Sequence, residues 1–150
     1  LAEEFGHVSW ERVLSGPGLA NLHAFLRAYR QKDVPDWLAR EGDEGDAPAA
    51  IARAAEAHSC PVCTEAMDRF VRYLGTEAGN LALKLKATGG VYLGGGIPPR
   101  IAGRLTRPDF LEAFRAKGRM RPLMERMPVR LIRNDRAALL GAARFAALHA

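Results

Sequence analysis

Apolar residues recur at intervals of three and four over most of the chain, and this spacing predicts helices. The longest apolar stripe is formed by Met67, Phe70, Leu74, Ala78, Leu81 and Leu85. Gly75 and Gly79 fall inside it, where small residues allow close backbone packing or a bend. Ser15-Gly16-Pro17-Gly18 interrupts the first amphipathic segment and predicts a tight turn. The predicted helices cover residues 19–29, 36–40, 47–58, 61–86, 98–104, 108–117 and 136–149.

Two short apolar runs, residues 91–93 and 128–133, predict β-strands. Because the runs are short and strongly apolar, we expect both strands to be buried on both faces. The helical pattern between them predicts a crossover, and hence a parallel pair in an α/β fold. Asn134 and Asp135 follow the second run and are predicted to cap the last helix.

Two strands form too small a sheet to be stable without further strands or covering helices. We therefore expect the rest of the sheet to lie in sequence outside these 150 residues. The start at Leu1, with neither an initiator Met nor a signal-peptide pattern, agrees with a piece of a longer protein. A large exposed apolar surface where the missing strands should lie, and hence self-association or poor solubility of the piece, would follow.

The formal net charge is +5, from 22 basic and 17 acidic residues, and much of the basic excess is arginine in the second half of the chain. These arginines alternate with apolar residues at helical spacing, which is typical of a solvated helix face. Because no recognition motif accompanies them, we expect no nucleic-acid partner. No apolar run reaches the roughly 18–20 residues that span a bilayer, so no membrane partner is expected. Sparse cysteine use fits a reducing cytoplasm.

The two cysteines lie in Cys60-Pro61-Val62-Cys63, and His58 stands two residues before them. Cys-x-x-Cys is compatible with redox chemistry or with metal binding. A closed zinc site would need a fourth ligand, and a redox motif of the thioredoxin kind would follow a strand rather than the helix predicted here. Ordinary thiols near a helix start are the favoured interpretation, so no metal ligand is assigned, and the two alternatives stay open.

Longer motifs cover nearly the whole chain. The first runs Gly6-His7-Val8-Ser9-Trp10-Glu11-Arg12-Val13-Leu14-Ser15-Gly16-Pro17-Gly18 and continues to Leu22. The second begins at Gly79-Asn80-Leu81 and runs into Gly89-Gly90-Val91-Tyr92-Leu93-Gly94-Gly95-Gly96-Ile97-Pro98-Pro99-Arg100. Residues 114–120, 128–132 and 138–143 complete the set. In their content and order these stretches resemble the hexokinase-like bacterial glucokinases, the ATP-dependent class without the cysteine-rich zinc motif of the ROK family.

The resemblance implies a fold of two α/β lobes of the RNase H-like, actin and hexokinase type. Residues 1–150 would form the C-terminal region of the large lobe, helix-rich with two buried strands. The implied reaction transfers the γ-phosphoryl group of ATP to the 6-hydroxyl of glucose with Mg²⁺. The implied partners are therefore glucose and ATP, and a homodimer is a further expectation from the family.

Glu11 matches the family glutamate that hydrogen-bonds sugar hydroxyls near the anomeric carbon. An ionised carboxylate only accepts hydrogen bonds and can take two hydroxyl donors, and such charge-assisted bonds are strong. A surface glutamate that pairs with Arg12 or with another neighbour is the plainer alternative. His7 is expected to be structural.

Two glycine groups, Gly16 with Gly18 and Gly94-Gly95-Gly96, match loops on the nucleotide side of the family's cleft. Backbone without Cβ atoms can approach a ribose or phosphate, and a helix N-terminus after it favours anions. Tight turns and helix–strand packing are the structural alternative for both groups.

The residues that carry out the chemistry are expected elsewhere. The family's phosphate loop, its Asn-Asp motif with the catalytic aspartate, and its Gly-Glu-Gly-Gly-His stretch have no counterpart here, and the Asn134-Asp135 pair is not that motif. No catalytic residue is therefore assigned, and the chain alone is expected to be inactive. The alternatives are a non-catalytic interaction module that keeps the fold, and a metal- or thiol-dependent protein that uses His58, Cys60 and Cys63.

Overall fold

The computed structural model describes residues 1–33, 35–41, 46–134 and 136–149. They form two compact units, Leu1–Gly75 and Thr76–Ala150. The long helix α5, Pro61–Leu85, which the apolar stripe predicted, contributes residues to both units.

The first unit is helical in all its described regular elements. A short helix α1, Ala2–Phe5, is followed by a 3₁₀ turn, Trp10–Arg12, and by helix α2, Gly16–Arg30. Helices α3, Asp36–Glu41, and α4, Ala47–Glu56, come next. Helix α2 packs against α4. The core residues of this unit include Leu19, Leu22 and Leu26 of α2, Ala50, Ile51, Ala54 and Ala55 of α4, and Cys63, Met67, Phe70 and Val71 of α5.

The glycines before Leu19 lie inside α2, so the predicted turn at 15–18 is wrong. Ser15 is the N-cap residue, and its Oγ accepts the N–H of Gly18 at 3.0 Å. Pro17 stands in the first helical turn, where its missing N–H costs nothing and its φ suits a helix. A side chain at Gly18 would place its Cβ 2.7 Å from the carbonyl oxygen of Val13. Glycine is therefore required here because the preceding turn lies directly against the start of the helix.

The second unit combines short helices with two strands. Strand β1, Val91–Leu93, is followed by α6, Ala102–Leu105, and α7, Pro108–Arg115. A 3₁₀ turn, Gly118–Met120, leads into α8, Arg121–Glu125, then strand β2, Val129–Leu131, and helix α9, Ala137–His149. The core is a cluster of Ala78, Ala82, Phe114, Met124 and Met127.

The two strands are parallel, as predicted, with Val91 opposite Val129 and Leu93 opposite Leu131. The prediction that they are buried on both faces is wrong for this chain. Val91, Leu93 and Val129 pack on the core cluster, whereas Tyr92 is 61% exposed. Successive strand residues point to opposite faces, and among the described residues only one face is covered.

Helix α9 presents an exposed apolar surface in this unit. Asn134 Oδ1 accepts the N–H of Arg136 at 2.9 Å ahead of the helix, while Asp135 lies outside the described residues. None of the described residues of α9 is buried, and its exposed apolar side chains include Leu139, Leu140, Phe145 and Leu148. Apolar surface is thus exposed, but mainly on a helix rather than at the sheet, where it was expected, and self-association stays a prediction.

Two helix predictions need correction. The helix expected at 98–104 begins only at Ala102, because residues 98–101 form turns. At the end of α5 the predicted stripe residues Leu81 and Leu85 are exposed, and Ala82 is buried instead. None of the described helices combines the length and apolarity needed to cross a lipid bilayer.

Helix α5 meets the end of α7 through Gly79. A side chain at this position would place its Cβ 2.8 Å from Cε of Lys117 and in still closer contact with the carbonyl oxygen of Phe114. Lys117 also donates from Nζ to the carbonyl oxygen of Thr76 at 2.9 Å. Gly79 therefore allows close backbone packing, as the sequence suggested.

We predict that Gly79→Ala lowers the free energy of unfolding by about 1–3 kcal/mol, because the backbone of α7 must move to relieve the overlap. Gly141→Ala is the matched control, because it lies within α9 with no heavy atom within 4 Å of its Cβ position. That change should be neutral or stabilising by up to about 1 kcal/mol from helix propensity. Urea unfolding followed by circular dichroism measures both. Equal stability of Gly79→Ala and the parent would contradict the packing described.

We also predict that Ser15→Ala destabilises the protein by about 1 kcal/mol, because the N–H of Gly18 loses its capping acceptor. Ser15→Thr keeps a hydroxyl acceptor and should retain most of the stability. Thermal unfolding of the two variants provides the comparison, and an alanine variant that melts with the parent would show that the cap contributes nothing.

Candidate functional site

Glu11 lies in the middle of the 3₁₀ turn Trp10–Arg12 and is exposed. Side chains at the start of α2 hold its backbone. Ser15 Oγ donates to the carbonyl oxygen of Glu11 at 2.7 Å, and Asn21 Nδ2 donates to that of Arg12 at 3.0 Å. The turn is therefore tied to the helix, while the carboxylate of Glu11 extends toward solvent, where it can accept hydrogen bonds from a polyol.

The structure does not support the alternative in which Glu11 forms an ion pair with Arg12, because the guanidinium of Arg12 packs on an aromatic ring instead. Its guanidinium lies 4.3 Å from the ring centroid of Phe5 in α1. This cation–π contact directs the positive charge toward the N-terminal helix.

Gly16 and Gly18 lie in the same segment as Glu11, at the start of α2. A Cβ at Gly16 would make ordinary contact with Pro48 at 3.7 Å, whereas Gly18 is buried against Val13. Packing therefore accounts for Gly18 without a ligand. A nucleotide contact at either glycine stays a prediction.

Gly94, Gly95 and Gly96 follow the carboxyl end of β1 in the other unit and are all exposed. Gly95 has a φ of 100°, which L side chains rarely adopt. A Cβ at Gly94 would lie 3.2 Å from Cδ1 of Ile132, whereas one at Gly95 or Gly96 would meet nothing within 4 Å. Ligands of open α/β folds bind at the carboxyl ends of parallel strands, and here that position is bare backbone.

The helix N-terminus expected next to these glycines is absent among the described residues. Helix α6 begins at Ala102, and Ile101, its N-cap residue, makes no capping hydrogen bond through its side chain. Any anion held at Gly94–Gly96 would therefore contact loop N–H groups rather than a helix end.

Most of the arginines of the second half are solvated, as predicted. Arg121 is one of them, and it pairs with Glu112 and Glu125, each at 3.0 Å. Arg104 differs, because it is only 3% exposed within α6. The helical spacing that marked the arginines as a surface set did not distinguish this one.

An apolar cavity of 310 Å³ lies in the first unit, and its lining contains no carboxylate. Glu11 is not part of it, although the neighbouring Trp10 is. The other lining residues are Leu1, Val13, Leu22, Phe25 and Tyr73. A sugar site needs several convergent polar groups, so we do not assign the sugar to this cavity.

Both cysteines are buried, and the histidine that lies beside them is not the one that the sequence suggested. His58 is exposed, with a φ of 52°, whereas His23 of α2 lies beside Cys60 and Cys63. Burial raises the pKa of the Cys63 thiol, and burial together with the charge of Arg27 lowers the pKa of His23. His7 is exposed.

His23 was missed because it stands far from the cysteines in sequence. The sequence does contain a clue to His23. It lies on the apolar face of α2, between Leu22 and Leu26 at helical spacing. A polar residue on such a face is buried when the face is buried.

Comparison with known proteins agrees with the motifs. A family model described as Glucokinase matches residues 1–149. The glucokinase of Aromatoleum aromaticum is 48% identical over 143 residues, which cover 95% of this chain and 40% of that protein. The glucokinase of Synechocystis is 39% identical over an alignment of 149 positions that covers 92% of this chain and 42% of that protein.

The fold agrees as well. The crystal structure of a glucokinase from an Antarctic psychrotroph superposes with a TM-score of 0.79 at 38% identity, covering 95% of this chain and 41% of the other. The chain thus spans about two fifths of the length of the relatives that it matches. The resemblance inferred from the motifs is confirmed: the chain belongs to the glucokinase family.

Proposed function

We propose that this chain is the C-terminal part of the large lobe of an enzyme that transfers the γ-phosphoryl group of ATP to the 6-hydroxyl of glucose. Family membership supports this proposal, and so does the helix-rich α/β fold with its parallel strand pair. The observation that carries it is Glu11, an exposed carboxylate on a backbone that α2 holds at two points.

Glu11 is proposed to bind glucose. As an ionised acceptor it takes hydrogen bonds from two adjacent sugar hydroxyls, and each such charge-assisted bond is stronger than a neutral one. The turn around it is held before the ligand arrives, so little ordering entropy opposes binding.

Gly94–Gly96 are proposed to line the nucleotide side. Gly95 and Gly96 leave open space where other residues would carry a Cβ, which suits a ribose or phosphate lying against the backbone. Mg²⁺ would arrive with the phosphates of ATP, and we assign no ligand for it in this chain. Phosphoryl transfer depends on positioning and on stabilising phosphate charge, and both are proposed to come mainly from the rest of the enzyme. A homodimer and a cytoplasmic location stay predictions.

The first test is a coupled assay of ATP-dependent glucose phosphorylation on the 150-residue chain and on the longest product of its gene. We expect activity only in the longer protein, because one sugar ligand and part of a nucleotide wall cannot position both reactants. Turnover by the short chain would show that it contains a catalytic base, contrary to our prediction. Inactivity of both would favour a non-catalytic interaction module.

In the longer protein we predict that Glu11→Gln raises the KM for glucose by about 10–100-fold, because a neutral amide replaces an acceptor of charge-assisted bonds. The KM for ATP should change little. Glu3→Gln, an exposed glutamate of α1, is the matched control and should leave both constants unchanged. An unchanged glucose KM in Glu11→Gln would remove Glu11 from the sugar site.

For the nucleotide side we predict that Gly96→Val raises the KM for ATP by about tenfold or more, because its side chain enters the space assigned to the nucleotide. Gly103→Val is the matched control, since its Cβ position is equally open in α6. Melting temperatures identify any effect on folding. An ATP KM equal to that of the parent would place the nucleotide elsewhere.

A further inference from the structure

Three buried side chains with metal-binding atoms meet in the first unit. His23, Cys60 and Cys63 place one ring nitrogen and two sulfurs within 4.8 Å of one another. Their exposed fractions are 8%, 4% and 0%. Neither the proposed sugar contact nor the proposed nucleotide contact uses any of them.

The local fold sets these atoms beside each other. Cys60 immediately precedes α5, and its Sγ accepts the N–H of Cys63 at 3.3 Å, so the first sulfur turns back over the first turn of the helix. His23 stands on the buried face of α2, one turn before Leu26. An ion pair between Arg30 and Glu65, at 3.0 Å, joins α2 to the start of α5.

We propose that His23, Cys60 and Cys63 bind Zn²⁺, with a solvent molecule as the fourth ligand. Thiolate and imidazole are the ligands that zinc prefers, and three protein ligands plus water is an established arrangement for it. Two thiolates balance the charge of the ion, so a neutral histidine completes a site without net charge. The two thiols release their protons to solvent as the sulfur–zinc bonds form.

The distances are compatible with such a site. Zn–S bonds of about 2.3 Å and Zn–N bonds of about 2.0 Å place tetrahedral ligand atoms roughly 3.5–3.8 Å apart. The separations of up to 4.8 Å need to close by about 1 Å, which side-chain rotation can supply. The bound ion would join α2 to the start of α5, and it would stabilise the folded state because the unfolded chain holds no such site.

The test uses the longest product of the gene, reduced with a phosphine and freed of metal by a chelator. Titration with Co²⁺, a spectroscopic substitute for Zn²⁺, should give one equivalent of thiolate-to-cobalt charge-transfer absorption and the strong visible bands of a four-coordinate ion. Zn²⁺ should displace the cobalt. At a hundredfold excess of Zn²⁺ over its Kd, the melting temperature should rise by about 5–10 °C.

Matched histidine variants distinguish this site from the alternative that the sequence suggested, in which His58 is the ligand beside the two cysteines. His23→Gln should abolish the cobalt bands or weaken binding by at least a hundredfold, whereas His58→Gln should keep them. Cys63→Ser should remove most of the charge-transfer intensity. Because changes at buried positions can impair folding, Zn²⁺ protection of both thiols from alkylation in the unmutated protein is a second readout.

Absence of metal uptake by the reduced protein, with both thiols alkylated equally fast with and without Zn²⁺, would overturn the proposal. So would cobalt bands of full intensity in His23→Gln. A protein that forms a Cys60–Cys63 disulfide with a disulfide oxidant but takes up no metal when reduced would have a redox pair instead, and the zinc proposal would again be wrong.

Discussion

Helix α5 is the element on which both units depend. Its first half supplies Cys63, Met67 and Phe70 to the core of the first unit, and its second half supplies Ala78 and Ala82 to the core of the other. The buried side chains change from a set that includes Met67 and Phe70 in the first half to alanine in the second. That change is possible because Gly79 lets the backbone at the end of α7 approach closely, so small residues suffice to fill the space. Packing at native density leaves few alternatives to this choice of residues.

The candidate sugar residue depends in turn on α2. Ser15 serves two purposes at once, since its Oγ accepts the N–H of Gly18 and donates to the carbonyl oxygen of Glu11. The same hydroxyl therefore begins the helix and holds the turn that presents the carboxylate. A loop glutamate without such support would have to be ordered by its ligand, at a cost in affinity.

The helices and the strand pairing were predictable because their signals are local. Apolar spacing defined α5 almost to the residue, and the two short apolar runs with a helical segment between them indicated a parallel pair. Burial was less predictable because it depends on what covers each face. Tyr92 and the apolar residues of α9, such as Phe145, are mostly exposed, so a pattern typical of a core marks an open surface here.

The candidate sites differ in the same way, between those marked by a local sequence signal and the one that depends on tertiary packing. Glu11 and Gly94–Gly96 lie in continuous motifs, so the family resemblance of the sequence could propose them together with their roles, which stay predictions. His23 was not found, because its partners stand almost forty positions away and only the fold of α2 against the start of α5 brings the three together. The cysteine spacing pointed to His58, two positions before the motif. In the structure His58 has a φ of 52° and is exposed to solvent.

Helix α2 also links the zinc proposal to the sugar proposal. It begins at the cap that holds Glu11 and carries His23 two turns later, about 12 Å along its axis at the usual rise per residue. An ion bound at His23 would therefore restrain the helix whose N-terminus positions the turn that carries Glu11. Because the two hydrogen bonds of Ser15 already hold that turn without an ion, metal binding would stabilise the helix without being needed to position Glu11.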